Sequence, residues 1–228
     1  MNNSITELIL SLDQVSKEYD AGRSIVRALD RVSLELRQGE LLGIAGPSGS
    51  GKSTLLSIMG LVIRPSSGRM IFAGRDLTHG SDGVLRDMRR KEIGFIFQYF
   101  HLLPTLTAEE NVSLSLLLNG VSLHEANERA RLALSQVGLL ERASHYPTQL
   151  SGGELQRVAI CRATVHRPQV ILADEPTGNL DTARGHEIVD LLDSLRRSYP
   201  CGIAMVSHNE EMLERCDRIV HLRDGKIG

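Results

Sequence analysis

The chain is poor in the residues that would place it in several large classes of protein. Cysteine occurs three times in 228 residues, at Cys161, Cys201 and Cys216. An odd number without metal-like spacing argues against a disulfide scaffold or a zinc site and fits reduced thiols in the cytosol. No apolar run approaches the roughly 20 residues a membrane-spanning helix needs, so any membrane work falls to a partner. Glu7 and Asp13 flank only a short apolar stretch, unlike a secretory signal. Neither sign of charge dominates: 26 Lys and Arg against 28 Asp and Glu leave −2, so composition gives no argument for nucleic acid as a partner. Repeats, low-complexity tracts and long linkers are missing, which predicts one unit over 1–228. Aromatics are few, with no tryptophan and four each of tyrosine and phenylalanine, yet Phe95, Phe97, Tyr99 and Phe100 crowd around Gln98.

What is present falls into three layers of pattern. Leu8 to Val15 and Val32 to Leu36 read as strands, Leu41 to Ala45 as a buried strand, and Gly68 to Gly74 as a hairpin-like stretch. The basic residues Arg86, Arg89, Arg90 and Lys91 read as a solvated helix face. From Leu102 to Gln149 the character turns helical. Thr107 with Glu110, and Ser122 with Glu125, are capping boxes, while Leu123, Ala126, Ala130 and Leu134 form a stripe stopped by Gly138. Strands return at Ile93 to Phe97, Val170 to Ala173, Ile203 to Ser207 and Ile219 to Leu222, with a helical stripe through Ile188, Leu191, Leu192 and Leu195. This alternation predicts an α/β fold with a mainly parallel sheet and a helical subdomain inserted at about 99–155.

The first chemistry-bearing motif is Gly46-Pro47-Ser48-Gly49-Ser50-Gly51-Lys52-Ser53, followed by Thr54. It matches the P-loop pattern and lies between an apolar strand and a helix. Its glycines let backbone N–H groups converge on phosphate, Lys52 would neutralise terminal phosphate oxygens, and Ser53 would ligate Mg²⁺. A chance Gly/Ser turn would not be expected to meet the eight-residue pattern, with Gly46, Gly51, Lys52 and Ser53 all in place, in that setting. The motif by itself leaves kinases, GTPases and helicases open.

Val170-Ile171-Leu172-Ala173 ends in Asp174 and Glu175. Carboxylates at the C-terminal end of a parallel strand sit where such sheets bind ligands. Asp174 would then reach Mg²⁺, and Glu175 would polarise an attacking water as general base. As an isolated pair, they would equally read as helix-capping acids ahead of Pro176.

A third motif is Ser151-Gly152-Gly153-Glu154, after Leu150. Ser151 and Glu154 form a capping box, and the two glycines strip side chains from the positive end of the helix they open. A chain that already has a phosphate cradle has no need of a second for its own nucleotide, so this one is expected to cap the γ-phosphate held by another copy. Without the P-loop, an ordinary helix N-cap would be the simpler reading.

From about Leu8 onward, these motifs and their order resemble the ATP-binding subunits of ABC transporters. The resemblance implies a P-loop (RecA-like) core with an N-terminal antiparallel β subdomain, ATP and Mg²⁺ as cofactors, and ATP hydrolysis. It implies that Tyr19 stacks on adenine, that Gln98 senses the γ-phosphate and the metal, that Asp181, with Asn179 and Leu180, couples two protomers, and that His208 contacts the γ-phosphate. The implied partners are a second ATPase subunit, most simply an identical one, and a membrane permease, with the chain peripheral on the cytoplasmic face. Phe97 to Pro104, the Ser151 motif and Ala173 to Asp181 resemble the lipoprotein-release, macrolide-efflux and cell-division group, which works on substrates beyond the membrane. A regulatory role without cargo is the alternative. A soluble translation or DNA-maintenance ATPase would usually carry two cassettes or a long coiled coil, and a nucleotide kinase does not require Ser151 to Gly153 or His208. Within this group Tyr99 or Phe100 could line a groove for a membrane-subunit helix. Departures are Glu154 in place of a frequent glutamine, the small Ala173, and Cys161-Arg162-Ala163-Thr164; none removes a catalytic group.

Overall fold

The computed structural model describes residues 7–20, 22 and 24–228. Two sheets and a helical layer surround three apolar clusters. Strands β1 (Leu8–Asp20), β2 (Ile25–Arg37), β4 (Ser67–Phe72) and β5 (Arg75–Asp76) form an antiparallel sheet in the order β2-β1-β4-β5. The second sheet runs β10-β9-β3-β8-β7-β6, from β3 (Leu41–Ala45), β6 (Ile93–Phe97), β7 (Val170–Asp174), β8 (Gly202–Val206), β9 (Arg218–Arg223) and β10 (Lys226–Ile227). Its strands from β9 to β6 are mutually parallel, and β10 returns antiparallel.

Strands β3 and β8 are buried at every position, which explains their unbroken apolar runs: helices or a second sheet cover both faces. Leu42, Ile44, Val170, Leu172, Ala204 and Val206 pack with the antiparallel sheet and with helix α1 (Lys52–Met59). The alternate residues Leu41, Ile171, Ala173, Ile203 and Met205 face the other way, onto Ile188, Val189 and Leu192 of α6 (Thr182–Ser198). Helix α2 (Asp82–Glu92) precedes β6, and the short α7 (Glu210–Leu213) follows β8.

The third cluster joins α3 (Ala108–Leu118), α4 (Leu123–Gln136) and α5 (Gly152–Thr164). Val158, Cys161 and Val165 meet Val112, Leu116, Ala126, Ala130 and Leu134 there, while Ile160 and Ala163 of α5 belong to the sheet's core. Burial pushes the Cys161 thiol up to about 12, so it behaves as a small apolar residue. Among the described residues no helix is long and apolar enough to cross a membrane.

Several expectations shift in detail. β1 and β2 run well past Val15 and start well before Val32, because register shifts and left-handed residues at Gln14 and Arg31 (both φ 50°) reset the two-residue alternation. Thr107 and Glu110 form a complete capping box, whereas at Ser122 only the hydroxyl caps and Glu125 turns to Arg129 instead. The basic stretch on α2 is not simply solvated: Arg89 donates to the Leu61 carbonyl and Arg90 to that of Leu118, tying α2 to the turn after α1 and to α3.

The segment between β6 and α3 is held by a buried amide. Asn111 is fully buried; its Oδ1 accepts from the Leu103 N–H at 2.8 Å, and its Nδ2 lies 2.9–3.1 Å from the carbonyls of Leu103, Leu106 and Thr107. Asn111→Ala removes the fully buried amide that ties Leu103, Leu106 and Thr107 together, and is expected to cost about 2–3 kcal/mol, the scale of losing several buried hydrogen bonds at once. Urea denaturation followed by circular dichroism would measure it.

Candidate functional site

The parallel register brings the ends of four strands to one edge. Phe97 pairs with Asp174, Asp174 with Val206, and Val206 with Ile44, so the residues that follow these strands converge. A cleft of about 540 Å³ opens there, lined by Gly46, Pro47, Ser48, Gly49, Gly51, Lys52, Ser53 and Thr54 from the P-loop and α1, and by Gln98, Asp174, Glu175 and His208.

Two glycines let the loop close on itself. Gly51 has φ 106°, and a β-carbon on it would lie 2.4 Å from the Ala28 carbonyl oxygen. Gly225, at φ 75° in the β9–β10 turn, approaches the same carbonyl: a β-carbon on it would lie 2.9 Å from the Ala28 oxygen. Its N–H donates to the Ser50 carbonyl at 3.0 Å and its carbonyl accepts from the Asp30 N–H at 2.8 Å. The P-loop is thus clamped between β2 and the last hairpin. Ser50 turns its side chain inward, 3% exposed, and does not line the cleft. The Lys52 ammonium donates to the Gly46 and Pro47 carbonyls, both at 2.8 Å, which keeps the cation over the loop.

Opposite, Ser53 hydrogen-bonds the Asp174 carboxylate. Burial raises that carboxyl's pKa, the neighbouring Glu175 raises it further, and Ser53 and Lys52 oppose the shift. Glu175 stands at φ 51°, a sparsely populated conformation for a residue with a side chain. It is held by its N–H to the Val206 carbonyl (3.0 Å) and by the Gly178 N–H to its own carbonyl (3.0 Å). Backbone strain of this kind costs about 1–3 kcal/mol and survives only where the surroundings impose it. It aims the carboxylate so that Oε2 lies 2.7 Å from Nδ1 of the largely exposed His208. The Gln98 side chain lies against Gly178, where an added β-carbon would be 2.9 Å from Nε2, and the Gln98 carbonyl accepts from Asn179 Nδ2 at 2.6 Å.

The other named residues stand elsewhere. Tyr19 is 42% exposed near the end of β1, outside this cleft, with the Lys17 ammonium 5.2 Å from its ring centre. Asp181 caps α6, accepting from the Arg184 N–H at 3.0 Å. Ser151, Gly152, Gly153 and Glu154 open α5 with a complete capping box and take no part in the cleft of their own chain. Neither glycine there is required by the fold: both lie in regular helix without positive φ, and an added β-carbon would meet its nearest neighbours at an ordinary 3.7 Å for Gly152 and 3.5 Å for Gly153.

A separate groove between α2, β6, α3 and α5 is lined by Phe95, Phe97, His101, Leu118 and Arg162. The stacked Phe95 and Phe97 rings line it with His101, and Tyr99 and Phe100 do not; Phe100 and His101 both adopt left-handed backbone, and the His101 ring returns to within 4.6 Å of Phe97. Ala28 and the Gly225 clamp escape sequence reading, since nothing local marks a residue that touches the P-loop only through tertiary packing.

A glycine-rich loop between strand and helix, a lysine over it and two strand-end carboxylates define a P-loop nucleoside triphosphatase. Residues 29–178 match the ABC transporter family, and the chain belongs to it as an ATP-binding, ATP-hydrolysing cassette. It is 46% identical over 219 residues to the uncharacterized ABC transporter ATP-binding protein YvrO of Bacillus subtilis, covering 96% of this chain and 95% of that one. Identity is 42% over 223 residues to the lipoprotein-releasing system ATP-binding protein LolD of Legionella pneumophila, with 98% of each covered. With the macrolide export ATP-binding/permease protein MacB 2 of Yersinia pestis it is 42% over 221 residues, 97% of this chain and 32% of that longer one. The dimeric structure of MJ0796, a bacterial ABC transporter cassette, superposes with a TM-score of 0.89 at 40% identity over 96% of each chain, and a second dimeric MJ0796 structure is a post-hydrolysis state bound to ADP and Pi.

Gly225→Ala forces a side chain into left-handed backbone against the Ala28 carbonyl, a strain of about 1–2 kcal/mol. The clamp on Ser50 should loosen and ATP affinity fall by about tenfold. Titration of a fluorescent ATP analogue would read this.

Proposed function

We propose that two copies of this cassette close head to tail around two ATP molecules, the P-loop of each facing Ser151, Gly152 and Gly153 of the other, and that closure drives a membrane permease. The observation that carries this is the pair of glycines at the start of α5: the fold does not need them, they lie outside the chain's own cleft, and they bare a helix N-terminus suited to an anion. The γ-phosphate would bridge the halves, and its loss on hydrolysis would let them part.

Within each site, Lys52 and the P-loop N–H groups would hold the β- and γ-phosphates, and Tyr19 would stack on adenine. The residues present suit magnesium: Ser53 and Asp174 offer hard oxygen donors already paired with each other, and the buried carboxylate gains by facing a cation. Ser53 and Asp174 would hold the ion, with Gln98 beside them, and bound Mg²⁺ would neutralise charge on the phosphate oxygens. Glu175 would accept a proton from the attacking water, with His208 bracing its carboxylate and reaching the γ-phosphate. Gln98, tied to Asn179 and followed by the segment that leads to α3, would report the γ-phosphate to the helical layer; Asp181 would couple the two sites across the dimer.

The groove lined by Phe95, Phe97 and Arg162 is the surface we assign to the permease, with the chain peripheral on the cytoplasmic face of the membrane. Its likeness to LolD and MacB favours work on substrates beyond the membrane, such as lipoprotein release or efflux; a cargo-free regulatory role like that of cell-division ATPases is the second reading. Copurification from membranes with a multi-pass partner tests the assignment.

Glu175→Gln should leave ATP binding intact, slow turnover by roughly 10²-fold or more, and trap a closed dimer on sizing chromatography with light scattering. Normal turnover in that variant removes Glu175 from its role. Lys52→Ala should weaken nucleotide binding itself; unchanged ATP affinity tells against the cradle.

A further inference from the structure

The start of α5 carries a conflict over one proton. Ser151 has a single hydroxyl proton, and here it donates to Glu154 Oε2 at 2.7 Å. The same carboxylate oxygen accepts the Ser151 N–H at 2.8 Å, and its other oxygen, Oε1, lies 3.3 Å from Arg142 Nε. A terminal phosphate oxygen approaching Ser151 is an acceptor only, so it can take a hydrogen bond from that hydroxyl only if Glu154 gives it up. Glu154 cannot resolve the conflict by protonating. Its bonds from the Ser151 backbone and side chain, with Arg142 beside it, hold its carboxyl below the usual range, so it remains an acceptor.

We infer that Glu154 and Arg142 are a positioning pair that sets how readily the α5 N-terminus engages a partner's nucleotide: Glu154 withholds the Ser151 hydroxyl from the γ-phosphate, and Arg142 screens the carboxylate's charge from it. When a phosphate takes the hydroxyl, the Ser151 N–H and Arg142 contacts remain, so the helix cap survives the exchange. Glutamine at position 154 keeps the cap, since its carbonyl oxygen serves the Ser151 N–H. It removes the negative charge at the anion's approach and leaves a weaker acceptor for the hydroxyl. The carboxylate therefore raises the nucleotide concentration at which two cassettes close and suppresses engagement by stray anions.

This rests on the head-to-tail reading above, and the test separates the two. In the full-length Glu175→Gln protein, the ATP concentration giving half-maximal dimer is measured by analytical ultracentrifugation, with thermal melts to confirm folding. Adding Glu154→Gln should lower that concentration by about three- to tenfold, the difference between a charge-assisted and a neutral hydrogen bond competing for the hydroxyl. Arg142→Gln should raise it, and that penalty should disappear when Glu154→Gln is also present. Ser151→Ala should raise it and abolish the difference between Glu154 and its glutamine variant. An unchanged or higher midpoint for Glu154→Gln, or an Arg142→Gln penalty that persists alongside it, overturns the inference while leaving the dimer reading standing. A protein that binds ATP yet never dimerises, or whose midpoint ignores Ser151→Ala, overturns the head-to-tail reading and the inference with it.

Discussion

Everything at the cleft depends on strand register. Four parallel strands must end level, because Gly46, Gln98, Glu175 and His208 lie just beyond the last residues of β3, β6, β7 and β8. The pairings of Phe97 with Asp174, Asp174 with Val206 and Val206 with Ile44 secure this, and the packing on both faces secures the pairings. A one-residue slip of β7 would exchange Leu172 and Ala173 between two different cores and move Asp174 away from Ser53. The left-handed backbone at Glu175 persists because hydrogen bonds to β8 and to Gly178 on either side over-determine it.

The start of α5, which we propose as a second phosphate-facing element, obeys a different physics. A helix N-terminus in water is worth only about 0.3–1 kcal/mol to an anion. The start of α5 is open to water in the single chain, with Ser151 exposed. Such a site gains strength when a second protein surface excludes solvent and lowers the local dielectric. Weak attraction in the open form and stronger attraction in the closed one is what a cyclic engine requires, since halves that gripped ATP equally in both forms could not be driven apart.

How much was legible depended on whether the cause was local. Strands β3, β7 and β8 showed as apolar runs because burial on both faces leaves no polar alternation to read. The P-loop, the strand-end acids and the Ser151 box showed because their spacing follows from backbone geometry. The full lengths of β1 and β2 did not, since left-handed residues at Gln14 and Arg31 break the alternation without any glycine to announce them. Arg89 and Arg90 looked like solvated charge because their carbonyl partners at Leu61 and Leu118 lie 28 residues away in sequence. That Phe95, Phe97 and His101 line the groove, and Tyr99 and Phe100 do not, is likewise a matter of tertiary placement that composition does not encode. Ala28 and Gly225 owe their importance to neighbours that only folding supplies.

Helix α5 belongs to two cores at once, Val158 and Cys161 to the helical layer and Ile160 and Ala163 to the sheet. At its far end Arg162 grips the carbonyls of Phe100 and His101 beside the aromatic groove; at its near end sits Ser151. Thirteen residues of unbroken helix make a rod of about 20 Å. In the proposed engine, a push delivered at the groove would therefore reach the serine with little slack, and a clasp formed at the serine would be felt as a tug on the groove.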